Sequence, residues 1–505
     1  MAPAPLNPEP SAPEDREANH LPPKSYVEAA EEALEAPSTR PSSSHASDDT
    51  AEHNKHEEPR QHKTNSKHSN GRISISTAED REQYEGEGQD NSPKSPTRGH
   101  KRKVSQKSNG SIGRNEGQQP DYDIFKKHQN ADGHPLTSAK PPSKYENRAQ
   151  DQQLTTGREA GAGWHTSKIR WAPFNVPVKR RLQTLAVLMH TLSIAGLVGF
   201  FFVLCSIPLL WPILVPYLIY ALMSNAGTSG QLYFRSERIR RLPVWSLFAS
   251  YYPMRLHRVQ KLEPTRKYIF GYHPHGIISH GAFAAFATEA LGFSQLFPGI
   301  TNTLLTLDSN FRLPLYREYA LRMGLASVSR ESITNILSRG GTNGEGMGRA
   351  VTIVIGGARE ALEARPGHMR LVIQRRKGFA KMAIRTGADL VPVLAFGEND
   401  IYDQFDVASR PYVKKLQILV KKVVGFTTPL FHARGIFNYD VGLMPYRKPI
   451  NIVVGKPIRV KQESHPDKAT VDTVHGQYVA ELQRLYDEWK DTFAKERVED
   501  MKFIE

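Results

Sequence analysis

"IFGYHPHGIIS" (residues 269–279) is a run of apolar and aromatic residues that ends in two histidines two positions apart, with Pro274 between them and Gly276 after. The run that leads in, "KYIFGY", has the composition of a buried strand. The proline fixes one backbone angle between the imidazoles, and the glycine lets the chain turn sharply behind them. Ligands of α/β sheets gather at the carboxyl ends of strands, which is where this turn falls. Three readings are open for His273 and His275: metal ligands, a general base with its helper, or a stiff turn with two incidental histidines. Zinc needs three or four ligands. The nearby His280 could be a third, but the chain has no cysteine cluster and no helical His-Glu-x-x-His pattern. A histidine of near-neutral pKa is suited to taking a proton from a hydroxyl.

Working outward, "TLLTLD" (303–308), "VTIVIG" (351–356), "LVPVLAF" (390–396) and "NIVVG" (451–455) are further short runs rich in branched residues. Helix-like stretches alternate with them: "REYALRMG" (317–324), "RESITNILSR" (330–339) and "RKGFAKMAIRTG" (376–387). The last ends in Gly387, a helix C-terminal signal. Val474, Tyr478, Leu482, Leu485, Trp489 and Phe493 recur at helical intervals and mark a final amphipathic helix. Strands alternating with helices predict an α/β fold with a mixed, largely parallel sheet flanked by helices, occupying residues 240–495.

Ahead of this domain the sequence changes character. From Leu185 to Ile207 there is no charged residue, long enough for a helix to cross the roughly 30 Å hydrocarbon core. Pro208, Pro212 and Pro216 interrupt a second apolar stretch that ends near Met223, which reads as a kinked return span or a re-entrant segment. Lys179, Arg180 and Arg181 precede the hairpin, and Arg235, Arg238, Arg240 and Arg241 follow it. Positive flanks on both sides predict a membrane helical hairpin over 180–223 with both ends in the cytosol. The lone cysteine, Cys205, falls in this apolar region and reads as a packing residue.

Residues 1–165 are poor in apolar side chains and cannot bury enough surface to offset the entropy of ordering. They are expected to form a disordered tail, dispensable for activity to about residue 150. Ser92 and Ser95 before prolines, and Ser105 after a basic cluster, are candidate phosphorylation sites. The net charge of +15 over 505 residues favours anionic partners such as phosphates or acidic lipid surfaces. No nucleic-acid-binding motif accompanies it, so no nucleic acid partner is expected. The GxxxxGKS phosphate loop is absent, which argues against nucleotide hydrolysis.

Several blocks together resemble the type-2 diacylglycerol acyltransferase family, which also holds monoacylglycerol acyltransferases and wax synthases. "YHPHG" (272–276) matches the family's His-Pro-His-Gly signature, and "YYP" (251–253) looks like its Tyr-Phe-Pro motif with tyrosine in the middle place. "LPLYREYALRMGLASVSR" (313–330), "IGGAREAL" (355–362), "RRKGFAKMAIRTGADLVPVLAFGEND" (375–400) and "VVGKPI" (453–458) follow in the family's order. The resemblance runs from about residue 180 to 490.

It implies transfer of an acyl group from acyl-CoA to diacylglycerol, giving triacylglycerol, on a fold like that of glycerol-phosphate acyltransferases. Monoacylglycerol or a fatty alcohol is the alternative acceptor. A catalytically silent lipid-binding protein of lipid droplets is the alternative of a different class, disfavoured because both His-Pro-His-Gly and Gly-Gly-x-x-Glu are intact. His273 or His275 would take the acceptor's proton, with His273 favoured by its place nearest the strand end. The related glycerol-phosphate enzymes carry an aspartate five residues after their histidine, and here that position is Ile278. Glu360 is then the candidate orienting carboxylate, if the end of "VTIVIGG" lies beside that of "KYIFGY". Its alternative is a carboxylate favoured by a helix dipole.

Arg330, Arg376, Lys377 and Lys381 are candidates for the phosphates of acyl-CoA, or else a solvated basic rim. Arg317 reads equally as a phosphate ligand or as a structural residue paired with a carboxylate such as Asp308 or a neighbour of Glu318. Tyr251, Tyr252 and Pro253 read either as interfacial anchors or as ordinary packing. No metal and no cofactor is expected, acyl-CoA being a co-substrate. Diacylglycerol, acyl-CoA and membrane lipids are the expected partners, and a homo-oligomer stays open. The endoplasmic reticulum membrane and lipid droplets are the expected locations.

Overall fold

Strand-forming runs and amphipathic helices assemble into one nine-stranded sheet between two helical layers. The computed structural model describes residues 123–129, 133, 135–147, 169–404 and 430–504. Ser92, Ser95 and Ser105 lie outside the described residues, as does most of the expected tail.

The strands are β1 (Asp123–Gln129), β2 (Pro135–Lys140), β3 (Arg255–Arg258), β4 (Tyr268–His273), β5 (Thr301–Thr306), β6 (Ala326–Ser327), β7 (Arg349–Val354), β8 (Asp389–Phe396) and β9 (Asn451–Val454). Their order across the sheet is β1-β2-β3-β9-β8-β4-β7-β5-β6. From β8 to β6 every pair is parallel. β9 joins β8 antiparallel, β3 runs parallel to β9, and β2 and β1 follow antiparallel. All six residues of β4 are buried, as expected for a central parallel strand covered on both faces.

Alternation along β4 assigns the two faces. Tyr268, Phe270 and Tyr272 enter one core with helices α1 (Val178–Thr191) and α4 (Pro243–Tyr251). Ile269 enters the other, which is built on α6 (Arg330–Ser338), α8 (Gly378–Thr386) and α9 (Lys468–Phe493). Gly387 closes α8 at φ 66°, the left-handed conformation expected of a C-terminal glycine. Tyr478, Leu482, Leu485 and Trp489 of α9 are buried as their spacing predicts.

Three expectations are corrected. The tail does not extend to 165: β1 (123–129) and β2 (135–140) pair antiparallel and extend the sheet along β3. Leu136, Ser138 and Ala139 of β2 are buried. The expected single span from Leu185 to Ile207 is two helices, α1 and α2 (Ser193–Cys205), bent by 66°. No single described helix is long and apolar enough to cross a membrane; α1 and α2 reach that length and composition only as a bent pair. After a turn at Pro208–Leu210, α3 (Trp211–Met223) carries Pro216 inside it. Among the flanking cations, Arg180 and Arg240 are buried, and Arg240 pairs with Glu289 at 3.0 Å.

The apolar helices are tied to the domain at polar points. Tyr217 of α3 donates to Glu318 at 2.5 Å and accepts from the Leu315 amide at 2.7 Å. Leu315 caps α5 (Tyr316–Arg322) and Glu318 lies within it. Arg317 takes the structural alternative, with Glu318 itself as its carboxylate: it is buried with Nη1 on Glu318 at 2.8 Å and Nε on the Phe311 carbonyl at 3.0 Å.

Candidate active site

β4 delivers the His-Pro-His-Gly turn at its carboxyl end, between β8 and β7. The registers Leu394–His273 and Tyr272–Val354 bring the ends of the three parallel strands together. The end of β7 thus lies beside that of β4, and α7 (Gly357–Ala361), which carries Glu360, begins just beyond it.

The two imidazoles part company. His273, the last residue of β4, is fully buried on the α9 face, with Nε2 3.2 Å from the Tyr478 hydroxyl. That hydroxyl lies 3.1 Å from the Gly271 carbonyl, which can only accept, so the tyrosine proton goes there. Nε2 of His273 is therefore the donor to Tyr478, and Nδ1 keeps a buried lone pair with no partner. Desolvation pushes the His273 pKa down to about 3. Gly271 has room only for hydrogen, since a Cβ there would collide with the Tyr478 hydroxyl.

His275 is partly exposed. Its Nδ1 is 3.0 Å from the Gly276 carbonyl, again acceptor-only, so Nδ1 carries the proton and Nε2 the lone pair. Desolvation lowers its pKa from the ordinary 6.5, against a smaller opposing pull from that carbonyl. The ring is thus neutral at pH 7. Its backbone is pinned: the His275 amide donates to Glu360 Oε1 at 2.5 Å, and the Ser279 hydroxyl donates to the His275 carbonyl at 2.7 Å.

Glu360 is a clamp on the main chain. Its Oε2 accepts from the Val372 amide at 2.8 Å, so both oxygens hold backbone N–H groups and neither is bonded to an imidazole. This corrects the expectation of an orienting carboxylate: Glu360 positions the turn that carries His275. Burial pushes its pKa up to about 7, opposed by the two amides and by the Arg376 charge.

A second carboxylate, not singled out from the sequence, holds the turn from the other layer. Glu398 follows β8 after Gly397, and its Oε2 accepts from the Tyr272 hydroxyl at 2.8 Å and the Gly281 amide at 3.0 Å. Burial raises its pKa to about 7 as well. Gly276 sits against it at φ 61°, and a Cβ there would come within 2.8 Å of Glu398 Cγ. The signal was present in "AFGEND": an acidic residue just past the carboxyl end of a buried strand, as Glu360 is. Tyr478 was hidden because it was counted only as part of an apolar stripe.

His280 does not converge on the other two histidines. Its Nε2 is 3.1 Å from the Tyr402 hydroxyl. Among the described residues no group of three or more His, Cys, Asp or Glu could hold a metal ion. Of the four candidate phosphate ligands, Arg376 lies near enough to Glu360 to lower its pKa. Lys377 pairs with Asp472 of α9 at 2.6 Å, and Lys381 is half-buried on α8. Arg330 opens α6, which follows β6 at the sheet edge, with β5 and β7 intervening before β4. The structure therefore brings Arg376 to the turn and leaves Arg330 apart from it. Tyr251 and Tyr252 are fully buried, which is the packing alternative, and the Tyr251 hydroxyl donates to the Pro445 carbonyl at 2.6 Å.

A neutral imidazole on a turn gripped from both layers can accept a proton from a hydroxyl brought to its Nε2. Comparison with known proteins fits that chemistry. Residues 202–503 match the family model described as diacylglycerol acyltransferase. Diacylglycerol O-acyltransferase 2B of Umbelopsis ramanniana is 47% identical over 67% of this chain and 97% of its own length. Diacylglycerol O-acyltransferase 1 of Schizosaccharomyces pombe is 45% identical over 64% and 92%. The bovine 2-acylglycerol O-acyltransferase 1 is 42% identical over 65% and 96%. The crystal structure of the 1-acyl-sn-glycerophosphate acyltransferase PlsC from Thermotoga maritima aligns over 60% of this chain and 97% of that one. Its sequence identity is 12% and its TM-score 0.27, too low to carry an argument.

Proposed function

Because the chain belongs to the diacylglycerol acyltransferase family, we propose that it transfers a fatty acyl group from acyl-CoA to the free hydroxyl of diacylglycerol, making triacylglycerol. The observation that carries the mechanism is the pair of fixed tautomers at the signature turn. His275 offers an Nε2 lone pair from a partly exposed ring, whereas His273 keeps its lone pair buried. The base is accordingly His275 rather than His273, whose place at the strand end first favoured it.

As the acceptor oxygen attacks the thioester carbon, His275 Nε2 takes its proton. The tetrahedral adduct collapses with cleavage of the C–S bond, and the imidazolium returns the proton to the thiolate, releasing CoA thiol. No covalent acyl-enzyme and no cofactor is required, acyl-CoA being the co-substrate. Glu360 and Glu398 hold the turn, and His273 with Tyr478 forms its floor. Arg376 and Lys377 at the start of α8, with Lys381 and Arg330, are suited to the phosphates of CoA, which the pantetheine arm sets well away from the thioester.

The helices α2 and α3 have 13 residues each, about 20 Å, shorter than the hydrocarbon core. They suit a re-entrant hairpin that enters a lipid layer and returns, anchoring the enzyme to the endoplasmic reticulum and to droplet monolayers. The bovine relative's name keeps monoacylglycerol open as a second acceptor.

The test is an acyl-transfer assay on membranes with labelled acyl-CoA, offering diacylglycerol, monoacylglycerol and a long-chain alcohol in turn. Triacylglycerol should be the principal product and should vanish in His275→Ala. Wax ester as the main product, or unchanged turnover in that variant, would overturn the reading.

A further inference from the structure

Two segments far apart in sequence are stitched together at the foot of α1. The Ala172 amide donates to the Phe437 carbonyl at 2.8 Å, and the Tyr439 amide to the Arg170 carbonyl at 2.9 Å. Arg170 pairs with the buried Asp440 at 2.8 Å. Arg447 then fastens the later segment to α1, donating to Gln183 Oε1 at 2.6 Å and to the Arg180 carbonyl at 3.0 Å. This is an ordered scaffold, yet it holds large apolar side chains outward. Trp171 is 71% exposed, Phe174 98%, Phe437 74% and Leu443 63%. Apolar surface in water is unfavourable, so four such side chains held outward on an ordered scaffold mark a surface suited to an apolar partner.

The patch continues into α1. Gln183, Ala186 and Val187 face the protein, and His190 meets Phe248 of α4 with ring centroids 5.0 Å apart. On the outer side Val178, Leu182, Leu185 and Met189 recur at helical spacing and are all exposed. Cations border this surface: Arg181 donates to the Phe174 carbonyl, and Lys179, two residues earlier, donates to the Glu146 carbonyl at 2.7 Å. Tryptophan, phenylalanine and basic residues at the edge of an apolar stripe form the composition of a lipid–water interface. The stripe runs directly into α2 across the 66° bend.

We propose that the outer face of α1, together with Trp171, Phe174, Phe437 and Leu443, lies flat in the headgroup region of a phospholipid surface. It is a second lipid contact, beside the deeper insertion of α2 and α3, and it sets how the catalytic domain stands on the membrane. The proposal rests on the reading that α2 and α3 enter a lipid layer. That continuity, with the bordering cations, favours a lipid surface over a second copy of the chain.

The test uses the full chain in a Cys205→Ser background, with single cysteines carrying an environment-sensitive fluorophore, in phosphatidylcholine vesicles with and without phosphatidylserine. Phe437→Cys and Met189→Cys report the platform, Phe202→Cys reports α2, and Thr334→Cys on the exposed side of α6 is the aqueous control. The expected result is blue-shifted emission at 437 and 189, quenched by headgroup-depth lipid quenchers and protected from iodide, with deeper quenching at 202. Iodide access at 437 and 189 while 202 stays lipid-quenched would overturn the platform and leave the insertion standing. Iodide access at all three would remove both readings. Protection at 437 without lipid quenching, accompanied by energy transfer between differently labelled molecules, would overturn the proposal in favour of a second copy.

Discussion

Replacing Glu360 by glutamine should separate stability from catalysis, because the carboxylate is held where its charge is unwelcome but its two acceptors are needed. Burial raises its pKa from the ordinary 4.5 to about 7. The folded state therefore binds this proton more tightly than the unfolded state does, and the wild type loses stability as pH rises from about 4.5 through 7. The gap corresponds to about 3 kcal/mol above pH 7. Glutamine does not titrate and resembles the protonated acid, which also presents a donor toward one of the two amides. E360Q should thus match the wild type near about pH 5 and exceed its stability at about pH 8, by up to about 3 kcal/mol. Glu398, raised in the same direction, is present in both proteins and drops out of the difference. Turnover should move the other way. The amide accepts from only one of the His275 and Val372 N–H groups, the turn loses a fastening, and activity should fall by about ten- to a hundredfold. The assay is melting of the full chain in detergent, followed by tryptophan fluorescence at both pH values, alongside acyl transfer. Equal destabilisation of E360Q at both pH values would refute the reasoning, since it would mean a carboxylate ionised and satisfied throughout.

His275→Ala should lower turnover by about a hundredfold or more, with melting near wild type, measured as specific activity of folded protein. His273→Ala should instead destabilise by about 2–3 kcal/mol and lose activity mainly with folded fraction; the opposite pattern would exchange the two roles. Because Glu360 holds both amides only when ionised and its pKa is about 7, and the base must be neutral with its pKa below 6.5, activity should level off above about pH 8 and fall as the pH drops through about 7, read from a pH–rate profile. Tyr478→Phe leaves the Gly271 carbonyl and His273 Nε2 without their partner and should cost about 1–3 kcal/mol in a denaturant titration. Removing residues 1–118 should leave melting and activity unchanged, whereas removal through 147 deletes β1 and β2 and should lower the melting temperature.

The central sheet was legible because buried parallel strands read as unbroken apolar runs, and "YIFGYH" is buried at every position. The edge was not. β2 buries Leu136, Ser138 and Ala139, too short an apolar run to stand out from the polar tail around it. The Asp-Gly pair at 132–133, with Gly133 at φ 77°, was the available hairpin signal. The break between α1 and α2 falls at Leu192, where neither proline nor glycine marks it, so composition alone could not find it. At the site, the motif placed both histidines and Glu360 at one end of the sheet. It could not say which ring is buried, nor that the glutamate grips amides, because those depend on α9 and on residue 372 arriving from elsewhere in the chain.

The pairing of β2 with β3 has a consequence for counting membrane crossings. β2 ends at Lys140 and β3 begins at Arg255, so α1, α2 and α3 lie in the chain between two strands that share hydrogen bonds, Ala139 opposite Leu256 and Thr137 opposite Arg258. A chain whose two ends are sewn into one sheet cannot leave them on opposite sides of a bilayer. Whatever α2 and α3 do between those strands, the number of complete crossings must be even, and zero is even. With zero crossings, both strands and the loop between α2 and α3 share one aqueous side; with two, that loop alone stands on the other.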